Sequence, residues 1–365
     1  MPEYLIFFCN FVRFYSKKKM ENTTGRIPVT ILTGFLGAGK TTLLNNIIRK
    51  YSNKRFAVIE NEFGEIGIDG GLIVGNIENM YELSNGCICC NLSDGLQKTL
   101  DNLLTSRYQF DNLLIETTGI ADPAGVIDNF VAYEEFLRKF VIDSVICLAD
   151  AVTYEESAEE QPEVHRQLAV ADIIILNKIG DVSPEQGERV KKLIRSVNPT
   201  AKLYAVSHAD ITNCEVLDTF AYTKENIEKL VVDFKNATPL KFDMLDADFS
   251  EPNFAKNPAN KHNNAFQHSI VSEGFTVEGD INEEKFVNWL QAVLQYNSAT
   301  VFRVKGILSI AGRSKKYILQ SVRQYFMVDE GEEWQNGEKR FTKLVFIGKK
   351  LNREAIEGYL QSFVV

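Results

Sequence analysis

Blocks of apolar residues alternate with amphipathic blocks from residue 27 onward, and this pattern predicts strands separated by helices. Apolar runs rich in β-branched residues predict six strands, at 29–33, 56–59, 113–115, 145–149, 173–176 and 202–206. Several runs are continuously apolar, which is typical of strands buried on both faces of a mainly parallel sheet. We therefore predict an α/β first domain.

Two helices of this domain have clear sequence signals. After the first strand, Leu43, Leu44, Ile47 and Ile48 form an apolar stripe at helical spacing. Residues 183–186 read Ser-Pro-Glu-Gln, in which Ser can cap a helix, Pro suits its first position and Gln completes a capping box. The second helix is therefore predicted to begin directly after residue 183.

The composition changes between residues 238 and 268, where prolines and scattered Asn and Asp replace the periodic pattern and indicate a linker. Beyond it, strands are predicted at 272–276, 301–310, 317–327 and 343–347, with helices at 283–294 and from 352. These elements favour a smaller α+β domain. The predicted division is a non-native or disordered extension at 1–26, a P-loop domain at 27–235, a linker at 236–268 and a C-terminal domain at 269–365.

Charge and length exclude several classes of protein. Forty Lys and Arg against forty-nine Asp and Glu give the 365-residue chain a net charge of −9, which disfavours nucleic acid and anionic membranes as partners. The apolar stretch at 4–15 is shorter than the roughly 18 residues of a membrane span, and its lysines follow it, unlike those of a secretory signal. Six cysteines, three of them crowded together, do not form a disulfide scaffold, so we expect a cytoplasmic protein.

Residues 34–41 read Gly-Phe-Leu-Gly-Ala-Gly-Lys-Thr and match the phosphate-binding P-loop between a strand and a helix. Backbone N–H groups of such a loop surround phosphates, the lysine neutralises them and the threonine hydroxyl ligates magnesium. This motif predicts a nucleoside triphosphate site. The candidate nucleotide-binding residues here are Gly34, Gly37, Ala38, Gly39, Lys40, Thr41 and Thr42.

Two later strand ends extend this site. Glu116 and Gly119 follow the third predicted strand, where an acid can hold magnesium and a glycine N–H can sense the γ-phosphate; a surface charge is the alternative for Glu116. Asn177 and Lys178 begin a guanine-type Asn-Lys-x-Asp motif, but its fourth position is a glycine. Asp181, one residue later, is the candidate acid for the base, or else a charge flanking the next helix.

Three thiols crowd into Cys87, Cys89 and Cys90, which favours zinc or another thiophilic metal over a chance cluster or a redox pair. This short turn cannot close a tetrahedral shell alone. Glu60 or Glu65, at the end of the second strand, could complete the site, and Asp69 could move with it; a solvated acidic loop is the alternative.

Together, these motifs and their order resemble the CobW-like GTPase metallochaperones. The resemblance implies a magnesium-dependent GTPase that carries zinc, or in some relatives cobalt, to a client metalloprotein. Cys87, Cys89 and Cys90 match the family's metal motif, and Glu60 and Glu65 match carboxylates proposed as additional ligands. A glycine in place of the expected Asp puts strict GTP preference in question.

The leading hypothesis is a switch in which GTP and magnesium organise the loop at 60–69 against the turn at 87–90, and hydrolysis releases metal. A metal buffer or sensor that nucleotide only stabilises is the main alternative. A small-molecule kinase is disfavoured, because Cys-x-Cys-Cys has no evident role there. The sequence leaves the oligomeric state open, a homo-oligomer included.

Overall fold

The computed structural model describes residues 25–60, 80–84, 92–219, 221 and 270–365. Over these ranges the chain forms two β-sheets, one mainly from the first half of the chain and one from the last hundred residues. None of the helices in these ranges is long and apolar enough to cross a membrane.

The first sheet has seven strands in the order β3-β2-β4-β1-β5-β6-β7, and every neighbouring pair is parallel. The strands are β1 (Ile27–Gly34), β2 (Phe56–Glu60), β3 (Met80–Ser84), β4 (Asn112–Glu116), β5 (Phe140–Asp150), β6 (Ile173–Asn177) and β7 (Lys202–Ala205). The predicted α/β class and its six strands are confirmed. The strand missed is β3, an edge strand whose sequence mixes polar and apolar residues.

Seven α-helices are described between these strands. They are α1 (Lys40–Lys50), α2 (Leu92–Thr105), α3 (Ala124–Ala132), α4 (Glu134–Lys139), α5 (Tyr154–Glu160), α6 (Pro162–Val170) and α7 (Pro184–Val197). The predicted stripe of α1 is buried. The start of α7 is also confirmed, since Ser183 Oγ accepts a hydrogen bond from Gln186 N at 3.2 Å.

Both faces of the first sheet are buried, which explains the continuously apolar strand sequences. In β6, Ile174 and Leu176 belong to one hydrophobic cluster, whereas Ile173 and Ile175 belong to another. Successive side chains of a strand point to opposite faces, so each cluster fills one side of the sheet.

The second sheet is antiparallel, in the order β11-β10-β9-β12-β8. Its elements are β8 (Val271–Glu278), α8 (Glu283–Tyr296), β9 (Val301–Ser309), β10 (Lys315–Val322), β11 (Tyr325–Glu333), β12 (Phe341–Gly348) and α9 (Arg353–Ser362). The predicted boundaries at 235/236 and 268/269 lie outside the described residues.

One predicted strand of this sheet is wrong. Residues 317–327 do not form a single strand, because β10 turns at Arg323 and Gln324 into β11, and Val322 pairs with Tyr325. Arg323 has a φ of 53°, a left-handed conformation for which glycine is the usual signal. With no glycine at the turn, the two apolar strands read as one run.

A buried ionic cluster joins the two sheets. The Asp172 carboxylate, just before β6, pairs with Arg303 and, at 3.2 Å, with Lys305 Nζ, both on β9. Asp172 also accepts a hydrogen bond from Val145 N at 3.0 Å, and Arg303 donates a further one to the carbonyl of Val170. Burial alone would raise the pKa of Asp172, but the two cations hold it below its ordinary value. Burial, aided by Arg303, lowers the pKa of Lys305 to about 8.

Candidate functional site

The phosphate loop lies between β1 and α1. Gly39 precedes the helix with a φ of 104°, and a Cβ there would come within 2.8 Å of Asn177 Nδ2. Both facts require glycine at this position. No side chain caps α1, so the N–H groups of its first turn are available to bind an anion.

Lys40 and Thr41 begin α1 and face the site. Lys40 is buried, and its Nζ lies 3.4 Å from the carbonyl oxygen of Phe35 in the loop. Thr41 Oγ1 donates a hydrogen bond of 3.3 Å to Glu116 Oε1. A hydroxyl and a carboxylate in contact supply the oxygen ligands that Mg²⁺ prefers, so these two residues fit the predicted magnesium site.

The loop at 117–122 leads from β4 to α3 and lies against the phosphate loop. Thr117 N donates to the carbonyl of Leu32 at 2.9 Å. A Cβ on Gly119 would lie 2.8 Å from Leu36 N, so only glycine permits this close approach. The structure therefore brings Gly119 beside the phosphate loop, as its predicted role requires.

Gln167, on α6, is a residue that sequence reasoning missed. Its buried amide donates to the carbonyls of Gly119 at 3.0 Å and Ala121 at 3.2 Å. A single glutamine on an amphipathic helix carries no sequence signal, because its partners lie 46 and 48 residues away in the chain.

Asn177 links two loops of the site through its side-chain amide. Its Nδ2 donates to the carbonyl of Ala38 at 2.9 Å, and its Oδ1 accepts from Ala209 N at 2.8 Å. Lys178 Nζ pairs with Asp150 Oδ2 at 2.7 Å. The sequence analysis did not predict this partner, although Asp150 is the last residue of the buried strand β5. The amide of Asn177 thus ties the phosphate loop to the loop after β7.

Asp181 lies in a short 3₁₀ turn after Lys178 and is exposed. Within the ranges described, its carboxylate makes no hydrogen bond or ion pair. Gly180 N donates to Ser207 Oγ at 3.0 Å. A role of Asp181 in holding a base therefore stays a prediction.

Among the predicted metal ligands, Glu60 has a described backbone. It is the last residue of β2 and pairs in register with Glu116 on one side and Ser84 on the other. Cys87, Cys89, Cys90, Glu65 and Asp69 lie outside the described residues. No group of three or more His, Cys, Asp or Glu side chains that could hold a metal occurs within the described ranges.

Cys147, in β5 behind the phosphate loop, is a buried free thiol. Burial raises its pKa to about 12, against the opposing influence of Lys40. A thiol with so high a pKa is protonated at neutral pH and is a poor nucleophile. Cys147 therefore acts as a small hydrophobic residue of the core.

Asp128, on α3, has an unusually high pKa of about 6, because burial and the charge of Asp122 outweigh the attraction of Arg323. Since the unfolded chain ionises Asp128 nearer pH 4, this group lowers stability progressively as pH rises from 4 to 6, and the cost persists above that. We expect Asp128→Asn to stabilise the protein by about 1 kcal/mol at pH 7.5, after discounting for partial exposure. Thermal melts at pH 7.5 and pH 4 test this, and an equal gain at both would contradict it.

Comparison with known proteins identifies the family. The nucleotide-binding domain of CobW, HypB and UreG matches residues 28–205, and the C-terminal domain of the cobalamin synthesis protein CobW matches residues 270–364. The zinc chaperone YjiA of Escherichia coli is 36% identical over 336 residues, covering 91% of this chain and 97% of that protein. The chain belongs to the CobW family.

A second relative and a solved structure agree with this assignment. The zinc-regulated GTPase metalloprotein activator 1 of Saccharomyces cerevisiae is 30% identical over 94% of this chain and 87% of its own length. The crystal structure of the Zn(II)-bound YjiA GTPase from E. coli superposes with a TM-score of 0.68 and 28% identity, covering 93% of this chain and 99% of that one. The fold is therefore that of a CobW-family P-loop protein, and the relatives are named for zinc and GTP.

Proposed function

We propose that this chain is a magnesium-dependent GTPase that binds zinc and couples GTP binding and hydrolysis to delivery of the metal to a client metalloprotein. We propose that this activity takes place in the cytoplasm. We also propose three functional segments, which are the P-loop domain at 27–235, a linker at 236–268 and a C-terminal domain at 269–365. The observation that carries the proposal is the register of three strand ends, in which Glu60 lies between Glu116 and Ser84.

This register relates the nucleotide site to the cysteine motif through chain connectivity. Glu116 contacts Thr41 of the phosphate loop, and Glu60 occupies the equivalent position on the neighbouring strand. Ser84, one strand further, precedes Cys87 by three residues, which can span at most about 11 Å. Adjacent strands are about 4.8 Å apart, so chain connectivity permits the cysteine motif and Glu60 to share a metal, as we propose.

The chain's own residues supply the steps at the nucleotide. The N–H groups of the first turn of α1 and the Lys40 ammonium bind the phosphates, and Thr41 and Glu116 would hold magnesium. Magnesium supplies neutralisation of charge on the phosphate oxygens when bound. Gly119 N–H is the group that would contact the γ-phosphate, and Asn177 and Asp181 are the candidates for holding the base.

Coupling follows if the γ-phosphate orders the segment at 60–69 against the turn at 87–90. Zinc affinity would then differ between the triphosphate and diphosphate states, and by linkage zinc would change nucleotide affinity by the same factor. We expect slow intrinsic turnover, about 10⁻⁴ to 10⁻² per second, as in other switch GTPases.

The deciding experiment measures zinc affinity by competition with a chromophoric chelator, using protein loaded with magnesium and either GDP or a non-hydrolysable GTP analogue. We expect the two affinities to differ at least tenfold, about 1.4 kcal/mol. Equal affinities would favour a metal buffer or sensor. No zinc binding in either state would redirect the assay to cobalt.

Cys89→Ala is expected to weaken zinc binding at least about tenfold, because it removes one thiolate from the proposed ligand set. The matched control is Cys214→Ala, which removes a buried free cysteine that is not part of the motif. Both variants are titrated in the same chelator assay. Zinc affinity unchanged in Cys89→Ala, or reduced equally in both variants, would remove this cluster from the mechanism.

A further inference from the structure

The loop at 117–122 is held by residues from four other parts of the chain. At its start, Thr117 Oγ1 donates to Thr33 Oγ1 of β1 at 3.1 Å. In its middle, Gln167 of α6 donates to the carbonyls of Gly119 and Ala121. At its end, Asp122 Oδ1 accepts from Ala124 N at 3.0 Å, at the start of α3. The other oxygen of that carboxylate, Oδ2, pairs with Arg323, which lies at the turn between β10 and β11 of the second sheet.

Arg323 is a rigid partner rather than a flexible surface arginine. Its Nη1 donates to the carbonyl of Ser298 at 2.6 Å, and its backbone N–H donates to the carbonyl of Phe302 at 3.0 Å. Its guanidinium also stacks over the Phe302 ring, 4.3 Å from the centroid. With the side chain only 17% exposed, little entropy is lost in contacting Asp122, so this pair is stronger than an ordinary surface ion pair.

The helix that carries Gln167 is also attached to the second sheet. Arg303 of β9 donates to the carbonyl of Val170, the last residue of α6, one turn beyond Gln167. The second sheet therefore reaches the loop both directly, through Arg323 and Asp122, and indirectly, through α6. Arg323 makes the direct contact and can be changed without disturbing the buried ionic cluster.

We propose that Arg323 is a positioning residue for nucleotide hydrolysis: through Asp122 it holds the loop that presents Gly119 to the γ-phosphate, and so couples the second sheet to the nucleotide site. This rests on the proposed function, since it assumes that the site hydrolyses a nucleoside triphosphate. The physical reason is preorganisation, because a donor already fixed where charge develops costs no reorganisation during the reaction. Releasing Asp122 from Arg323 removes the contact at the end of the loop and leaves those of Thr117 and Gln167.

The test compares Arg323→Gln with Lys305→Met in the full-length protein. Lys305 is also a contact between the sheets, but within the described residues neither Lys305 nor its partner Asp172 bonds to the loop at 117–122. We expect Arg323→Gln to lower kcat for phosphate release about tenfold, with KM and GDP affinity within about twofold of wild type. Lys305→Met should lower the melting temperature and leave kcat within about twofold. A kcat unchanged in Arg323→Gln, or reduced equally in both variants, would show that the pair only joins the two sheets.

Two further measurements make the assignment specific. If Arg323 acts through Asp122, the double variant Asp122→Asn/Arg323→Gln should show the kcat of Arg323→Gln alone rather than the product of two losses. Multiplying losses would mean that the residues act separately and would overturn the proposal. Arg323→Lys, which keeps the charge, should recover part of the rate, and no recovery would contradict the ion-pair argument.

Amide hydrogen exchange separates this proposal from the proposed function. With a non-hydrolysable GTP analogue bound, residues 117–122 should exchange faster in Arg323→Gln than in wild type, and at the wild-type rate in Lys305→Met. If wild type releases no phosphate but this pattern holds, the GTPase assignment fails while the loop contact stands. If exchange at 117–122 is unchanged in Arg323→Gln, the positioning role is wrong.

Discussion

Asp172→Ala is expected to lower the free energy of unfolding by about 3 to 5 kcal/mol, because it leaves two buried cations without their counter-charge. Arg303 and Lys305 are 0% and 5% exposed, and both pair with this carboxylate. The substitution also removes the acceptor for Val145 N. The three side chains are buried from solvent where the two sheets meet, so we expect the contact between the sheets itself to open.

Urea unfolding, followed by circular dichroism, measures this loss. Arg353→Ala is the matched control, since it breaks an exposed ion pair with Glu273 and should cost about 1 kcal/mol or less. The low pKa of Asp172 fixes the pH dependence: its contribution is present above its ordinary pKa, near 4, and is lost as pH falls through the lower pKa of the folded state. The difference in the free energy of unfolding between wild type and Asp172→Ala should therefore become smaller below pH 4. A loss under 1 kcal/mol at pH 7 would show that the contact between the sheets tolerates unpaired charge.

The strand pattern predicted the first sheet well because its strands are buried on both faces. The hydrophobic pattern also predicted β9, but it did not predict what surrounds the charged side chains of that strand. Arg303 and Lys305 are two residues apart and share one face, which ordinarily indicates a solvated edge. Here that face packs on the first domain around Asp172, 131 and 133 residues away. Nothing local in either segment reveals such a pairing.

The same limit of sequence-based prediction applies to the residues of the candidate site. The phosphate loop, Glu116 and Asn177 could be predicted because each lies at a strand end and its chemistry is encoded in consecutive residues. Arg323 could not be found, because its partner Asp122 is 201 residues away and its left-handed turn lacks the usual glycine. Sequence reasoning therefore located the groups predicted to contact the nucleotide and missed Gln167 and Arg323, which hold the loop at 117–122.

Lys40→Ala is expected to reduce GTP hydrolysis at least about 100-fold, because it removes the one cation that the P-loop directs at the phosphates. Lys40 is buried at the start of α1, and its Nζ is held toward the loop by the carbonyl of Phe35. Alanine keeps the helix, since it has the highest helix propensity. The loss should therefore reflect missing charge rather than a changed fold, and triphosphate affinity should fall with it.

Phosphate release and zinc titration on the same preparation test this prediction. Arg49→Ala is the control, because it removes an exposed cation from the last turn of the same helix and should leave hydrolysis within about twofold of wild type. Zinc affinity without nucleotide should be nearly unchanged in Lys40→Ala, since its ammonium belongs to the phosphate site and cannot ligate a metal. Any difference in zinc affinity between the GDP and GTP-analogue states should shrink, because coupling requires the γ-phosphate to be bound in its correct position in the P-loop. Hydrolysis that persists in Lys40→Ala would mean that the reaction takes place elsewhere on the chain.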